Sequence, residues 1–177
     1  MVAFKDIVPY MDNVRRQLTE VLNSFGPDEK QLREKPDGWN VTEVVEHLAK
    51  LEGMILYQLK RVVGQTPAVP SEPLDEKVTD VMGILQASGI IGRKIEAPDP
   101  ARPTGALSYE EALQKLDEVR AATKALIPKL AERNTNDLLF PHPAGFEMNA
   151  TQWSHFIAIH ETAHVNQLKR IRAANRR

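Results

Sequence analysis

Apolar residues recur along the chain at three- and four-residue spacings, the pattern of amphipathic helices. This spacing predicts four long helices and one short helix, over about residues 7–25, 41–63, 75–87, 108–132 and 149–174. Proline and glycine cluster between these segments, and no strict two-residue alternation extends beyond about four residues, so no sheet is expected. The pattern predicts an all-α protein, a four-helix bundle with one extra short helix and long connecting loops, forming a single domain over residues 1–177.

Two of the predicted helices begin with a recognisable capping signal. Ser108 is followed three residues later by Glu111, and Asn149 stands in the same relation to Gln152. In such a box each side chain bonds the free backbone amide of the other residue. We therefore expect helices to start directly after Ser108 and Asn149.

Composition and charge remove several classes of function. With 23 basic and 24 acidic residues the net charge is -1, so no nucleic acid or membrane partner is indicated. No stretch approaches the roughly 18 uncharged apolar residues of a membrane helix, and the N-terminus lacks an apolar signal segment. The expected location is the cytoplasm. Because the chain has no cysteine, disulfide frameworks, thiolate metal sites and cysteine nucleophiles are excluded.

Any bound metal must therefore be held by nitrogen and oxygen ligands, and the five histidines are the main candidates. His160 and His164 lie one turn apart within the apolar stripe of the last helix, so both could reach one ion. The alternative is that ordinary hydrogen bonds satisfy both rings. His47, at the edge of the apolar face of the second helix, would complete a three-nitrogen site with open coordination positions. His155 is expected on the opposite, solvent-exposed side of the last helix.

Residues 160–164 read His-Glu-Thr-Ala-His, which also matches the H-E-x-x-H pattern of zinc peptidases. In such a peptidase Glu161 would activate a water molecule bound to the metal. A third ligand usually follows downstream, and a flanking sheet holds the substrate. No histidine, aspartate or glutamate follows His164 and no sheet is expected, so the peptidase hypothesis is disfavoured.

Three further residues are candidates for the site, each with a structural alternative. Glu161 would be a base or a hydrogen-bond partner of a ligand imidazole, or else a solvated helix residue. Gln167, one turn beyond His164, is a candidate partner for a ligand ring. His142 stands between two prolines before the last helix, where it would line a substrate pocket or cap a helix end.

The segment GWNVTEVVEHL, residues 38–48, followed far downstream by H-x-x-x-H-x-x-Q, resembles the DinB-like superfamily of metal-binding helical bundles. That superfamily is related to the bacillithiol- and mycothiol-dependent S-transferases. The run from His142-Pro143-x-Gly145 into the last helix is similar to the same family, whereas residues 65–107 carry no recognisable family motif. The resemblance implies a four-helix bundle that is commonly dimeric, so we expect a homodimer.

The resemblance also implies a divalent ion bound by His47, His160 and His164. Zinc or nickel is the ion expected first, and iron, manganese and cobalt are compatible with three histidines. Such an ion activates either a bound water or a bound thiol. Since the chain has no cysteine, a thiol would be a low-molecular-weight cosubstrate.

We therefore expect a metal-dependent enzyme that transfers a thiol to a small-molecule substrate, or hydrolyses one. The resemblance favours S-transfer, and the residues themselves leave the choice between transferase and hydrolase open. The alternative is a non-enzymatic metal- or ligand-binding bundle with a stress-related or regulatory role.

Overall fold

The computed structural model describes residues 1–68, 78–93, 95–133 and 138–176. Within these ranges it contains five α-helices: α1 (Ile7–Asn23), α2 (Val41–Gln65), α3 (Val81–Ala87), α4 (Tyr109–Ala131) and α5 (Ala150–Ala174). The four long helices form the bundle, in which α2 packs mainly against α4 and α1 packs mainly against α5. The predicted all-α four-helix bundle with one extra short helix is confirmed. None of the helices described is long and apolar enough to cross a membrane.

Local sequence sets where the long helices begin. α2, α4 and α5 each start with a capping box, formed by Asn40 with Glu43, Ser108 with Glu111, and Asn149 with Gln152. The two boxes predicted from the sequence are therefore confirmed. α4 also continues through Pro128, close to its end. These caps satisfy backbone amides that the first turn of a helix leaves without partners.

The expectation that no sheet is present was wrong in detail, because two short antiparallel ribbons occur. β1 (Val2–Ala3) pairs with β2 (Val78–Thr79), and β3 (Leu139–Pro141) pairs with β4 (Glu147–Asn149) in a hairpin. Strands of two or three residues are too short to show alternation in the sequence. The short helix α3 starts at Val81 rather than near residue 75, and residues 69–77 lie outside those described.

The bundle interior consists of two apolar clusters. One contains Met11, Leu59 and Ile127, and the other contains Leu18 and Leu168. Between the positions that belong to the two clusters, each long helix carries a charged residue that pairs with those of the neighbouring helices. We call these residues the charged layer: Arg15 on α1, Glu52 on α2, Arg120 on α4 and Glu161 on α5.

The charged layer is held together by ion pairs. Arg120 donates to both carboxylate oxygens of Glu52, at 2.8 and 3.0 Å, and also to Glu161. Arg15 donates to the other oxygen of Glu161 at 2.8 Å and to Asp117 at 2.9 Å. Two arginines and two glutamates balance in charge, which is the condition under which such groups can be buried.

His155 is placed differently from the expectation. Its side chain is only 3 % exposed, its Nδ1 atom lies 2.7 Å from Oγ1 of Thr79, and the ring of Tyr10 meets it edge-on. The expectation of a solvent-facing ring was wrong because β2 covers this face of α5. Burial lowers the pKa of His155 to about 4.

Candidate metal centre

Three histidines converge between α2 and α5. The Nε2 atoms of His47 and His164 each lie 3.2 Å from Nε2 of His160, and one nitrogen from each ring lies within 4.8 Å of the others. Two nitrogen ligands about 2.1 Å from one tetrahedral ion would lie roughly 3.4 Å apart. The two separations of 3.2 Å are close to this value, and all three nitrogens lie within reach of one ion after small adjustments of the rings.

The helices and one aromatic residue hold these rings in place. α2 carries His47, while α5 presents His160 and His164 one turn apart on the same face. The ring of Trp39, which precedes the cap of α2, lies 4.6 Å from that of His47 and 6.3 Å from that of His164. Trp39 therefore packs against two of the three rings, which limits their rotation.

Hydrogen bonds fix the protonation of two of the rings. Nδ1 of His47 lies 2.8 Å from the carbonyl oxygen of Ala101, and a carbonyl can only accept, so the proton is on Nδ1. Nδ1 of His164 donates in the same way to Oε1 of Gln167 at 2.7 Å. Both rings consequently direct an unprotonated Nε2 atom at His160.

This arrangement of neutral rings includes an unfavourable contact, which a cation would remove. In its neutral form His160 carries one ring proton, which it can donate to only one of the two neighbouring Nε2 atoms. The other contact then joins two lone pairs, which repel each other. A divalent ion among the three rings would accept all the lone pairs, so the donor set fits a metal with nitrogen ligands.

The electrostatic surroundings keep the three rings neutral. Burial lowers the pKa of His47, and burial together with the neighbouring rings lowers the pKa of His160 well below its usual range. Burial and the nearby His47 lower the pKa of His164 to about 3. Neutral imidazole is the form that binds metal, so the three rings are ready to coordinate near neutral pH.

Glu161 and Gln167 occupy distinct positions beside the centre. Gln167 accepts the hydrogen bond from His164 described above. Glu161 belongs to the charged layer, is only 1 % exposed and is bound by Arg15 and Arg120, so the alternative of a solvated glutamate was wrong. Because both its oxygens face a guanidinium, Glu161 is not a free base.

A small cavity adjoins the centre. Its lining is mainly apolar and includes His160 together with the two glutamates of the charged layer: Leu48, Leu51, Glu52, Ile55, Ile157, His160 and Glu161. The cavity therefore connects one metal-ligand candidate with the charged layer, on the side of the bundle where α2 faces α5.

His142 lies in an aromatic cluster near the three histidines, and it is not part of their group. Its ring stacks on Phe146 at 4.3 Å and on Trp153 at 5.7 Å, and meets Phe156 edge-on at 5.3 Å. Phe156 in turn lies 5.8 Å from His160. Nδ1 of His142 accepts from the backbone amide of Ala144 at 3.1 Å, so the neutral ring carries its proton on Nε2 as a donor.

Several groups at the site were not predicted from the sequence. The carbonyl of Ala101 lies in the stretch without a family motif, and a backbone oxygen leaves no trace in residue type. Arg15, Glu52 and Arg120 look like ordinary helix charges. Their positions could have identified them as buried, because each falls within the apolar stripe of its helix.

The chain is a helical bundle that gathers three imidazole nitrogens between two of its helices, a donor set that can hold a divalent ion. The chain belongs to the DinB superfamily, whose family model matches residues 10–168, so the resemblance seen in the sequence motifs is confirmed. It is also 30 % identical over 150 residues to the uncharacterized protein YuaE of Bacillus subtilis (strain 168), covering 83 % of this chain and 86 % of that protein.

Two solved structures share the fold. TT2238, described as a four-helix bundle protein, is 22 % identical with a TM-score of 0.61, over 94 % of this chain and 98 % of that one. YfiT from Bacillus subtilis is 16 % identical with a TM-score of 0.63, over 96 % of this chain and 86 % of that one. YfiT is described as a probable metal-dependent hydrolase with an unusual four-helix bundle topology. At these low sequence identities, the similarity shows a shared fold and nothing further.

Proposed function

We propose that this protein is a metal-dependent enzyme that acts on a small molecule, with His47, His160 and His164 as the ligands of a divalent ion. The observation that carries the proposal is the convergence of three Nε2 atoms, two of them freed for coordination by hydrogen bonds at Nδ1. A protein of similar fold, YfiT, is described as a probable metal-dependent hydrolase, which also supports the proposal.

The number of protein ligands favours catalysis over a structural metal. Structural zinc sites are usually closed by four protein ligands, whereas three leave a position for water or substrate. A divalent ion held by three neutral imidazoles would lower the pKa of a bound water or thiol, which supplies a nucleophile near neutral pH. Zinc or nickel is the ion proposed first.

The chain's own residues constrain the reaction further. Because Glu161 is bound by two arginines, it is assigned to positioning rather than to proton transfer. The aromatic cluster around His142 is proposed as one wall of the substrate pocket, with the Nε2 proton as a donor to the substrate. If the reaction is S-transfer, the thiol arrives as a cosubstrate, since the chain has no cysteine.

Elemental analysis of protein purified without an affinity tag or chelator tests the metal site. We expect about one divalent ion per chain in the wild type, as one three-histidine group requires. His47→Ala should lose the ion, and the matched control His142→Phe should keep it. Wild-type protein that neither contains nor binds zinc, nickel, iron, manganese or cobalt would refute the proposal.

Turnover assays on the metal-loaded protein then separate the activities. Thiol consumption with a panel of electrophiles would indicate S-transfer, and thiol-independent cleavage of esters or amides would indicate hydrolysis. Metal removal that lowers the melting temperature without turnover in either assay would favour the non-enzymatic alternative over the enzyme.

A further inference from the structure

The segment that we call the 99–105 loop covers the outer side of His47. Its Ala101 is fully buried against α2, and the Ala101 carbonyl accepts the Nδ1 proton of His47 at 2.8 Å. This contact decides which nitrogen of His47 faces the other two histidines, because an imidazole without a fixed partner distributes its proton over both nitrogens. The position of the loop therefore determines which nitrogen of His47 is available to bind the ion.

Glu46, the residue next to His47 in α2, holds this loop. Its Oε1 atom accepts from the amide and the hydroxyl of Thr104 at 2.9 and 2.8 Å, and its Oε2 atom accepts from the amide of Gly105 at 3.2 Å. Gly105 has a φ of +69°, a left-handed conformation that favours glycine. Glu46 is only 1 % exposed, whereas Thr104 and Gly105 are exposed, so these hydrogen bonds are partly shielded from water.

Lys50, one turn further along α2, adds a second connection. Its Nζ atom lies 2.8 Å from Oε1 of Glu46 and also donates to the carbonyl of Arg102 at 2.8 Å. The cation thus balances the charge of the buried carboxylate and ties the loop to the helix at another point. Three groups of α2, one of them the candidate ligand, are bound to consecutive parts of the same loop.

We infer that Glu46 is a positioning residue of the metal centre, which fixes the 99–105 loop so that the Ala101 carbonyl keeps the proton of His47 on Nδ1 and leaves Nε2 for the ion. This inference rests on the proposed function, in which His47 is a ligand. Groups that hydrogen-bond a ligand directly usually contribute about 10- to 100-fold to metal affinity, and Glu46 acts on the loop that supplies such a group, the Ala101 carbonyl.

The test compares Glu46→Ala and Glu46→Gln with a control on the same helix. Glu43→Ala is the control, because Glu43 caps the start of α2 through Asn40 and pairs with Arg33, and it makes no hydrogen bond to the loop. Co²⁺ binding to the metal-free proteins is measured by its visible spectrum, and urea unfolding gives the stability of each variant. The tautomer of His47 is read from ¹⁵N chemical shifts of the metal-free protein.

Glu46→Ala should bind Co²⁺ at least about 10-fold more weakly than both the wild type and the control. Glu46→Gln keeps one carbonyl acceptor for the loop and should restore part of the affinity. In Glu46→Ala the His47 resonances should also show a mixture of tautomers, whereas the control keeps the proton on Nδ1.

A Glu46→Ala variant with the affinity of the control and an unchanged tautomer would overturn the inference. A purely structural role would lower the stability of Glu46→Ala and Glu43→Ala without separating their Co²⁺ affinities. If the wild type binds none of Co²⁺, Zn²⁺ and Ni²⁺, the proposed function fails instead. The tautomer measurement, which needs no metal, then still decides whether Glu46 orients His47.

Discussion

Replacing Arg120 with methionine tests whether the charged layer is a requirement of the fold. Arg120 is buried and bonds Glu52 through two contacts at 2.8 and 3.0 Å, bonds Glu161, and donates to the carbonyl of Met11 at 3.2 Å. Methionine fills a similar volume and removes the charge. The substitution therefore leaves the carboxylate of Glu52 buried with only Arg15 nearby, at 3.7 Å.

The expected loss follows from removing one partner of a buried ion pair. Such changes cost about 3–5 kcal/mol, because the remaining charge stays in a region of low dielectric constant. In a chain of this length each kcal/mol corresponds to roughly 2–4 °C in melting temperature, so a fall of roughly 6–20 °C is expected for Arg120→Met.

Urea unfolding of the metal-free variants, followed by circular dichroism, measures the loss. The double variant Arg120→Met/Glu52→Met removes both members of the pair and leaves Arg15 bound to Glu161, so it should be more stable than Arg120→Met alone. Arg16→Met is the control, since Arg16 is exposed and pairs with exposed Glu20, and should cost less than about 1 kcal/mol. A loss for Arg120→Met no larger than for the control would refute this account of the layer.

Three further predictions concern histidines and their partners. Because burial lowers the pKa of His155 from 6.5 to about 4, its contribution to stability is complete above pH 6.5 and declines as the pH falls towards 4. Urea unfolding against pH should therefore show a smaller decline in His155→Gln than in the wild type. Gln167→Leu removes the acceptor of His164 and should weaken Co²⁺ binding about 10- to 100-fold in equilibrium dialysis. His142→Phe keeps the stacking and the metal content but should lower kcat/KM about 10-fold, through loss of one donor.

Each of these predictions has an outcome that contradicts it. Parallel pH profiles for the wild type and His155→Gln would show that the pKa of His155 does not differ between the folded and unfolded states. Unchanged Co²⁺ affinity in Gln167→Leu would mean that the hydrogen bond to His164 does not orient the ring. A wild-type kcat/KM in His142→Phe would remove that residue from the substrate pocket.

Local sequence determined most of the secondary structure and part of the site. Helical periodicity and capping boxes act over a few residues, so the four long predicted helices match those of the structure with ends that differ by one or two positions. The short helix α3 starts about six positions later than predicted. The same local geometry brings His160 and His164 onto one face of α5. No comparable rule joins either residue to His47. The sequence offered His47 as a third ligand from its position on an apolar helix face, and only the fold places its Nε2 atom 3.2 Å from that of His160.

Only the tertiary structure decided which polar groups are buried and what they touch. The sequence placed His155 in solvent, and β2 buries it. Glu161 looked like a base or a solvated residue, and two arginines from other helices bind it. The bond from His47 to Ala101 joins residues that are 54 positions apart in the chain. Burial and hydrogen bonding at these positions depend on segments far away along the chain, and residue spacing within one helix carries no information about them.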